Sequence, residues 1–277
     1  MRHLDMIGLS GLFVVTTLVA SLGSASNTIT SPDNYGTNLI EVYSYIGSEL
    51  AERPSMIEVE VEKFDADDIQ VLTGSEGLKT YENELGMNYD YEIYNIKSIK
   101  YTKSTVTKQG KTTYKVRLFP TYRETKEETE YVYETVAGII TANIQVKSYS
   151  DEDKYQWIYD YIIDHVNYDY SYINKTAYTA LKNGSSICGG YSSLYYVFAK
   201  ELGLNSRIAY GNTSAGYHAW NLVPLNGVWY YMDSTMGDNP GFKSSYVFKA
   251  MSNVTSHFID SGYVTDFAFA STDYVLN

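Results

Sequence analysis

Cysteine is used once in 277 residues, at Cys188. A single thiol cannot close an intrachain disulfide, and a lone cysteine by itself reads as a small buried hydrophobe. Its neighbours change that reading. Ser185-Ser186-Ile187-Cys188-Gly189-Gly190 runs into an apolar stripe of Leu194, Val197, Phe198 and Leu202, followed by Gly203. That is the spacing of a buried helix face with a glycine after its last turn. The thiol therefore falls at or just before a helix N-terminus, where unpaired N–H groups and the helix dipole favour an anion. Gly189 and Gly190 are expected to leave the space beside the sulfur open to a substrate backbone. The same N–H groups could hold an oxyanion. The chemistry implied is that of a nucleophile.

A nucleophilic thiol needs a base, and a hairpin further on supplies one. Tyr217 to Leu225 and Val228 to Asp233 are strand-like, and Asn226-Gly227 between them is a favoured two-residue turn. Such a loop pairs Leu225 with Val228, Val223 with Tyr230, and Trp220 with Asp233. Pro224 then sits at a non-hydrogen-bonded position, where its missing N–H does no harm. In this register His218, Trp220, Tyr231 and Asp233 share one face, while Asn221, Val223, Tyr230 and Met232 share the other. His218 and Asp233 become diagonal neighbours within side-chain reach. A carboxylate placed there takes the proton of one imidazole nitrogen and leaves the other for a thiol. Trp220 is placed to shield the pair from water.

Together these pieces resemble the transglutaminase-like superfamily. The resemblance rests on Ile187-Cys188-Gly189-Gly190-Tyr191, Gly216-Tyr217-His218-Ala219-Trp220-Asn221, and Trp229-Tyr230-Tyr231-Met232-Asp233-Ser234-Thr235, spaced 30 and then 15 residues apart from Cys188 to His218 to Asp233. Asp153 to Tyr170 also resembles the helix and Tyr-Asp segment that precede the cysteine in such proteins. The match covers roughly residues 148 to 240. It implies a papain/transglutaminase-like core with catalytic Cys188, His218 and Asp233. It also implies acyl transfer from an amide through a thioester, resolved by water or by an amine, with no cofactor. Gly189, Tyr168 (with Asn167 behind it) and Trp220 are the candidates for an oxyanion or substrate site. The family often has Asp-Pro-Thr where this chain has Asp233-Ser234-Thr235. A rival reading is a non-catalytic surface protein that uses the same fold to bind peptides or wall polymers.

The elements that must carry these residues give an α+β chain. Ser150-Asp151-Glu152-Asp153 starts a helix whose stripe is Tyr155, Ile158, Tyr159, Ile162 and Val166. Upstream, the periodicity predicts a helix over 38–51 and a half-buried strand over 56–64. Residues 66–86 read as an ambiguous crossover. Strands follow over 88–104 and 112–123, with a turn at 108–111, and then a second helix over 124–144. This half contains no cysteine, histidine or phosphate-binding loop, and no chemistry is expected of it. The organisation is a signal peptide over 1–25, a small α+β domain over 26–147, and a catalytic domain over 148–277.

Composition narrows the partners. The net charge of −12 repels phosphate backbones and anionic lipid, so neither nucleic acid nor a membrane surface is expected as a partner; the peptide or protein substrate expected here is what the resemblance implies. The 30 tyrosines suit strands and half-apolar surfaces. Met6 to Ala20 is largely apolar and uncharged, and Gly23-Ser24-Ala25 ends it with small residues, giving an expected mature start at Ser26 and a secreted or cell-surface protein, with an uncleaved N-terminal anchor as the alternative. His3, His165 and His257 read as isolated, and Asp65-Asp67-Asp68 lacks the period of a calcium loop, so no metal is expected.

Overall fold

The computed structural model describes residues 28–34, 39–50, 52–64, 90–214, 216–259 and 267–276. The segment read as a signal peptide, the 66–86 crossover and the acidic loop at Asp65 lie outside these residues.

A four-stranded sheet in the order β1-β2-β4-β3 forms the first layer, from β1 (Thr28–Asn34), β2 (Met56–Val61), β3 (Ile96–Lys108) and β4 (Lys111–Tyr122). In β2 the alternation buries Ile57, Val59 and Val61 against Val42, Ile46 and Leu50 of α1 (Leu39–Leu50). Each such side chain contributes about 1.5–3 kcal/mol by leaving water. The β3–β4 turn is closed by Gln109 and Gly110, both at positive φ, which matches the twist of the flanking strands.

The strand expected from residue 88 begins only at Ile96. Asp90–Asn95 is a short helix, α2. Its register is set by tertiary contacts that no local pattern records. Asp90 hydrogen-bonds the Arg207 guanidinium at 2.8 and 3.0 Å and accepts the Ile208 N–H at 2.6 Å. A helical turn also sends Tyr91 and Ile93 into different cores, which a strand would not do.

The second core is built on α6 (Cys188–Glu201), whose residues Gly189 to Ala199 are all buried. Around it lie α3 (Lys126–Ala142), α4 (Asp151–His165), α5 (Ala177–Asn183) and a sheet in the order β10-β7-β8-β9. Those strands are β7 (Arg207–Thr213), β8 (Gly216–Leu225), β9 (Val228–Met232) and β10 (His257–Ile259). A short parallel pair, β5 (Asn167–Tyr168) and β6 (Ser185–Ser186), leads into α6. Helix α3 carries a capping box at Thr125 and Glu128, and its Val132, Val136 and Ile140 join the α6 cluster. In α4, Ser150 caps the start and Tyr155, Ile158, Tyr159 and Ile162 form the buried stripe. The fold is α+β, with helices on an antiparallel sheet.

Candidate active site

The β8–β9 hairpin has the expected register. Asn221 pairs with Met232, Val223 with Tyr230 and Leu225 with Val228. Asn226 and Gly227 both take positive φ, which a two-residue turn of this type requires and which Asn and Gly tolerate best. The Trp229 N–H turns away from Pro224 to the Ala268 carbonyl, so the proline costs no ladder bond. Just beyond β9, Asp233 starts a four-residue helix, α7 (Ser234–Gly237), and its Oδ1 accepts the Met236 N–H at 2.9 Å.

This register brings His218 and Asp233 together. His218 Nε2 lies 2.8 Å from Asp233 Oδ2, with both side chains almost fully buried. The Cys188 thiol lies close enough to the His218 ring to act on its charge. With Nε2 engaged by Asp233, Nδ1 is the ring nitrogen left for the sulfur. Burial alone would lower the imidazole pKa. The negative charge and hydrogen bond of Asp233, with the Cys188 contact added, instead raise it to about 10. Burial would raise the Asp233 pKa, but the His218 charge and the hydrogen bonds from His218 and a second histidine hold it well below the usual carboxylate range.

Cys188 is the first residue of α6, preceded by Ile187 as N-cap with extended backbone, and it is partly exposed. The first N–H groups of a helix have no carbonyl partner within it, so those of Cys188 and Gly189 are not spent inside α6. The strand and the helix are tied together by Asn221, whose amide donates to the Ser192 carbonyl of α6 at 3.0 Å and to the Arg207 carbonyl of β7 at 3.2 Å.

The glycines do not leave the open space expected of them. A Cβ on Gly189 would stand 1.9 Å from the Tyr94 hydroxyl, and one on Gly190 would stand 1.9 Å from Ser186 Oγ. Both absences are filled by packing. Tyr94 comes from α2, in the half of the chain where no chemistry was expected, and its hydroxyl donates to the Lys175 carbonyl. Tyr168 is half-buried in β5 near Cys188. Burial, and then the Cys188 charge, raise its pKa to about 12, so its phenol stays a donor. Trp220 is buried and lies parallel to both His218 and Tyr231, with centroids 5.9 and 6.0 Å away. The loop after Tyr168 is held by Asp169, which accepts from Ser171 N, Ile173 N and Asn174 N at 2.8, 3.1 and 2.7 Å. The Ile187 N–H at the α6 N-cap returns to the Asn174 carbonyl.

Sequence reasoning missed His257. Read as isolated, it lies in the site, with Nε2 2.9 Å from the same Asp233 Oδ2 that binds His218. Its strand has three residues and no periodic signal, so nothing in the local sequence could have placed it. His218, Asp233 and His257 also form a group able to hold a metal, with ligand atoms within 4.8 Å of one another. The contacts to Oδ2 at 2.8 and 2.9 Å are hydrogen-bond distances. Two ligands on one tetrahedral zinc sit about 3.3 Å apart, given bonds of roughly 2.0–2.1 Å, so the group would have to spread to admit an ion.

Residues 134–234 match the transglutaminase-like superfamily. This transglutaminase-like segment begins inside α3, contains Cys188, His218 and Asp233, and stops short of His257; Tyr94 also lies outside it. Among solved structures, the chain is similar to one described as a TGase, at 15% identity and a TM-score of 0.36, over 65% of this chain and 51% of the other. It is also similar to a candidate cysteine protease from Cytophaga hutchinsonii, at 11% identity and a TM-score of 0.32, over 50% of this chain and 65% of the other. The chain thus spans about half to two thirds of the length of these structures. No curated protein matches it.

Proposed function

We propose that this chain is an exported cysteine acyl-transfer enzyme acting on amides of peptides or proteins, with Cys188 as nucleophile, His218 as general base and acid, and Asp233 as the group that orients the histidine. The observation that carries the reading is the buried His218–Asp233 pair at 2.8 Å, close to the partly exposed Cys188 that opens α6. In the first step Cys188 Sγ bonds to the carbonyl carbon while the thiol proton is held on His218 Nδ1, where the raised imidazole pKa favours it. The oxyanion is met by the N–H groups of Cys188 and Gly189, with the Tyr168 hydroxyl as a candidate side-chain donor. The C–N bond then breaks, and His218 returns its proton to the departing amine. The resulting thioester is attacked by water or by a second amine, whose proton His218 accepts, and the C–S bond breaks to regenerate the thiol. Asp233 keeps Nε2 protonated throughout, which fixes Nδ1 as the working nitrogen.

Water as acceptor makes the protein a peptidase or amidase, and an amine makes it a cross-linking enzyme. Cell-surface substrates, such as cell-wall stem peptides, fit the export expected from residues 1–25. Among the described residues no helix is long and apolar enough to cross a membrane. The test is activity profiling of purified protein on stem peptides, glutamine donors and amine acceptors, scoring released amine and incorporated amine separately. Cys188→Ala is expected to abolish both while keeping the wild-type fold by circular dichroism. Full activity in that variant would end the assignment, and N-terminal sequencing of extracellular protein checks the start at Ser26.

A further inference from the structure

We infer that His257 is a positioning residue of this site, a second donor that pins Asp233 so that the carboxylate in turn pins His218. The inference rests on the reading of Cys188 and His218 given above. His257 is buried in β10, and its Nδ1 stands 3.1 Å from the Ser256 hydroxyl. A hydroxyl that donates to Nδ1 leaves the proton on Nε2, and Nε2–H then donates to Asp233 Oδ2 at 2.9 Å. Oδ2 already receives His218 Nε2–H at 2.8 Å, and Oδ1 receives the Met236 N–H at 2.9 Å. Three donors from three elements therefore hold one carboxylate. Removing the His257 donor leaves Oδ2 with His218 alone and takes away one of the three bonds that set the carboxylate's rotation.

The surroundings are built around that ring. Trp220 meets it edge-on at 4.8 Å and 89°, with Tyr246 at 6.0 Å and Tyr231 at 6.3 Å completing the wall. An imidazole in such an aromatic box would be costly if its N–H had no acceptor, and Asp233 is that acceptor. The strand that delivers His257 depends on one glycine. His257, Phe258 and Ile259 pair with Thr213, Asn212 and Gly211 of β7, and a Cβ on Gly211 would stand 2.0 Å from the Phe258 carbonyl. Gly211 lets β10 come close enough for His257 to reach Asp233. His257 falls outside the transglutaminase-like segment, so this support is carried by the chain's own C-terminal region.

The test uses the full-length protein. Its four histidines can be assigned one by one by mutation in long-range ¹H–¹⁵N spectra, which read tautomers directly. The expected result is His257 protonated at Nε2, with a downfield hydrogen-bonded proton that disappears in Asp233→Ala. In parallel, the rate of Cys188 alkylation by iodoacetamide near neutral pH is measured in two variants. His257→Leu should lower it about tenfold or more, the worth of one hydrogen bond to a charged group. His257→Gln, which keeps a donor at the Nε2 position, should restore it to within about threefold of wild type. Gly211→Ala should mimic the leucine variant. A His257 ring protonated only at Nδ1 would overturn the inference. So would leucine and glutamine variants that behave alike, or a stoichiometric metal that is lost with His257. The tautomer reading needs no activity, so failure of the nucleophile assignment and failure of the His257 assignment can be told apart.

Discussion

Asp233→Asn isolates what the carboxylate does beyond filling space. The amide keeps the shape, and its oxygen still accepts the Met236 N–H, now at 2.9 Å from Oδ1. Its NH₂ replaces the oxygen that two imidazole nitrogens contact at 2.8 and 2.9 Å. Donor then faces donor unless both rings change tautomer. His257 can change without conflict, because the Ser256 hydroxyl beside its Nδ1 either donates or accepts. His218 cannot, because moving its proton to Nδ1 puts N–H toward Cys188 and removes the base. Catalysis should fall by roughly 10³- to 10⁴-fold, the loss expected when a triad histidine is held in the wrong tautomer, or about 4–5.5 kcal/mol of barrier. Stability should fall by only about 1–3 kcal/mol, the cost of a buried polar contact made badly. The assay is kcat/KM on the amide substrate found by profiling, beside urea unfolding of both proteins. A rate loss under tenfold, or a loss fully matched by unfolding, would refute the reasoning.

Three further outcomes follow from the packing around the site. Gly189→Ala should cost about 1–3 kcal/mol through overpacking against Tyr94, and the cost of the methyl should shrink in a Tyr94→Ala background, as thermal melts of the four proteins would reveal. Asp90→Ala should cost about 3–5 kcal/mol, because it strips a fully buried carboxylate from the Arg207 guanidinium; urea midpoints measure this. Glu92 is buried with Oε2 unpartnered, and burial raises its pKa above the ordinary 4.5. Above that pH the unfolded chain ionises the group while the folded chain resists, so its contribution turns destabilising as pH rises. Glu92→Gln should therefore gain on wild type in unfolding midpoint between pH 5 and pH 8, and a shrinking gap would contradict this.

What the sequence made legible was what local chemistry decides. Asn226-Gly227 admits few turn geometries, and that turn determines which face every residue of β8 and β9 occupies, so the His218–Asp233 contact could be worked out beforehand. The stripe after Cys188 and the glycine at its end likewise marked α6. The parts that were not legible depend on partners far away in the chain. Tyr-Asp-Tyr-Glu-Ile-Tyr alternates well enough to pass for a strand, yet Asp90 is pinned by Arg207 and the segment folds as a helix. Gly189 looked like room for a substrate because the tyrosine that fills the room lies in another element. His257 had no motif around it, and only the edge pairing of β10 with β7 carries it to Asp233.

The most direct measurement of the central claim is the intact mass of the protein after brief exposure to a peptide amide pool and an acid quench. A single acyl adduct should appear on Cys188, be removed by neutral hydroxylamine as a thioester is, and be absent from Cys188→Ala. In His218→Ala it should form about a hundredfold more slowly or worse, in line with the loss of a general base. An adduct at another residue, or one that forms on Cys188 at the same rate without His218, would contradict the account.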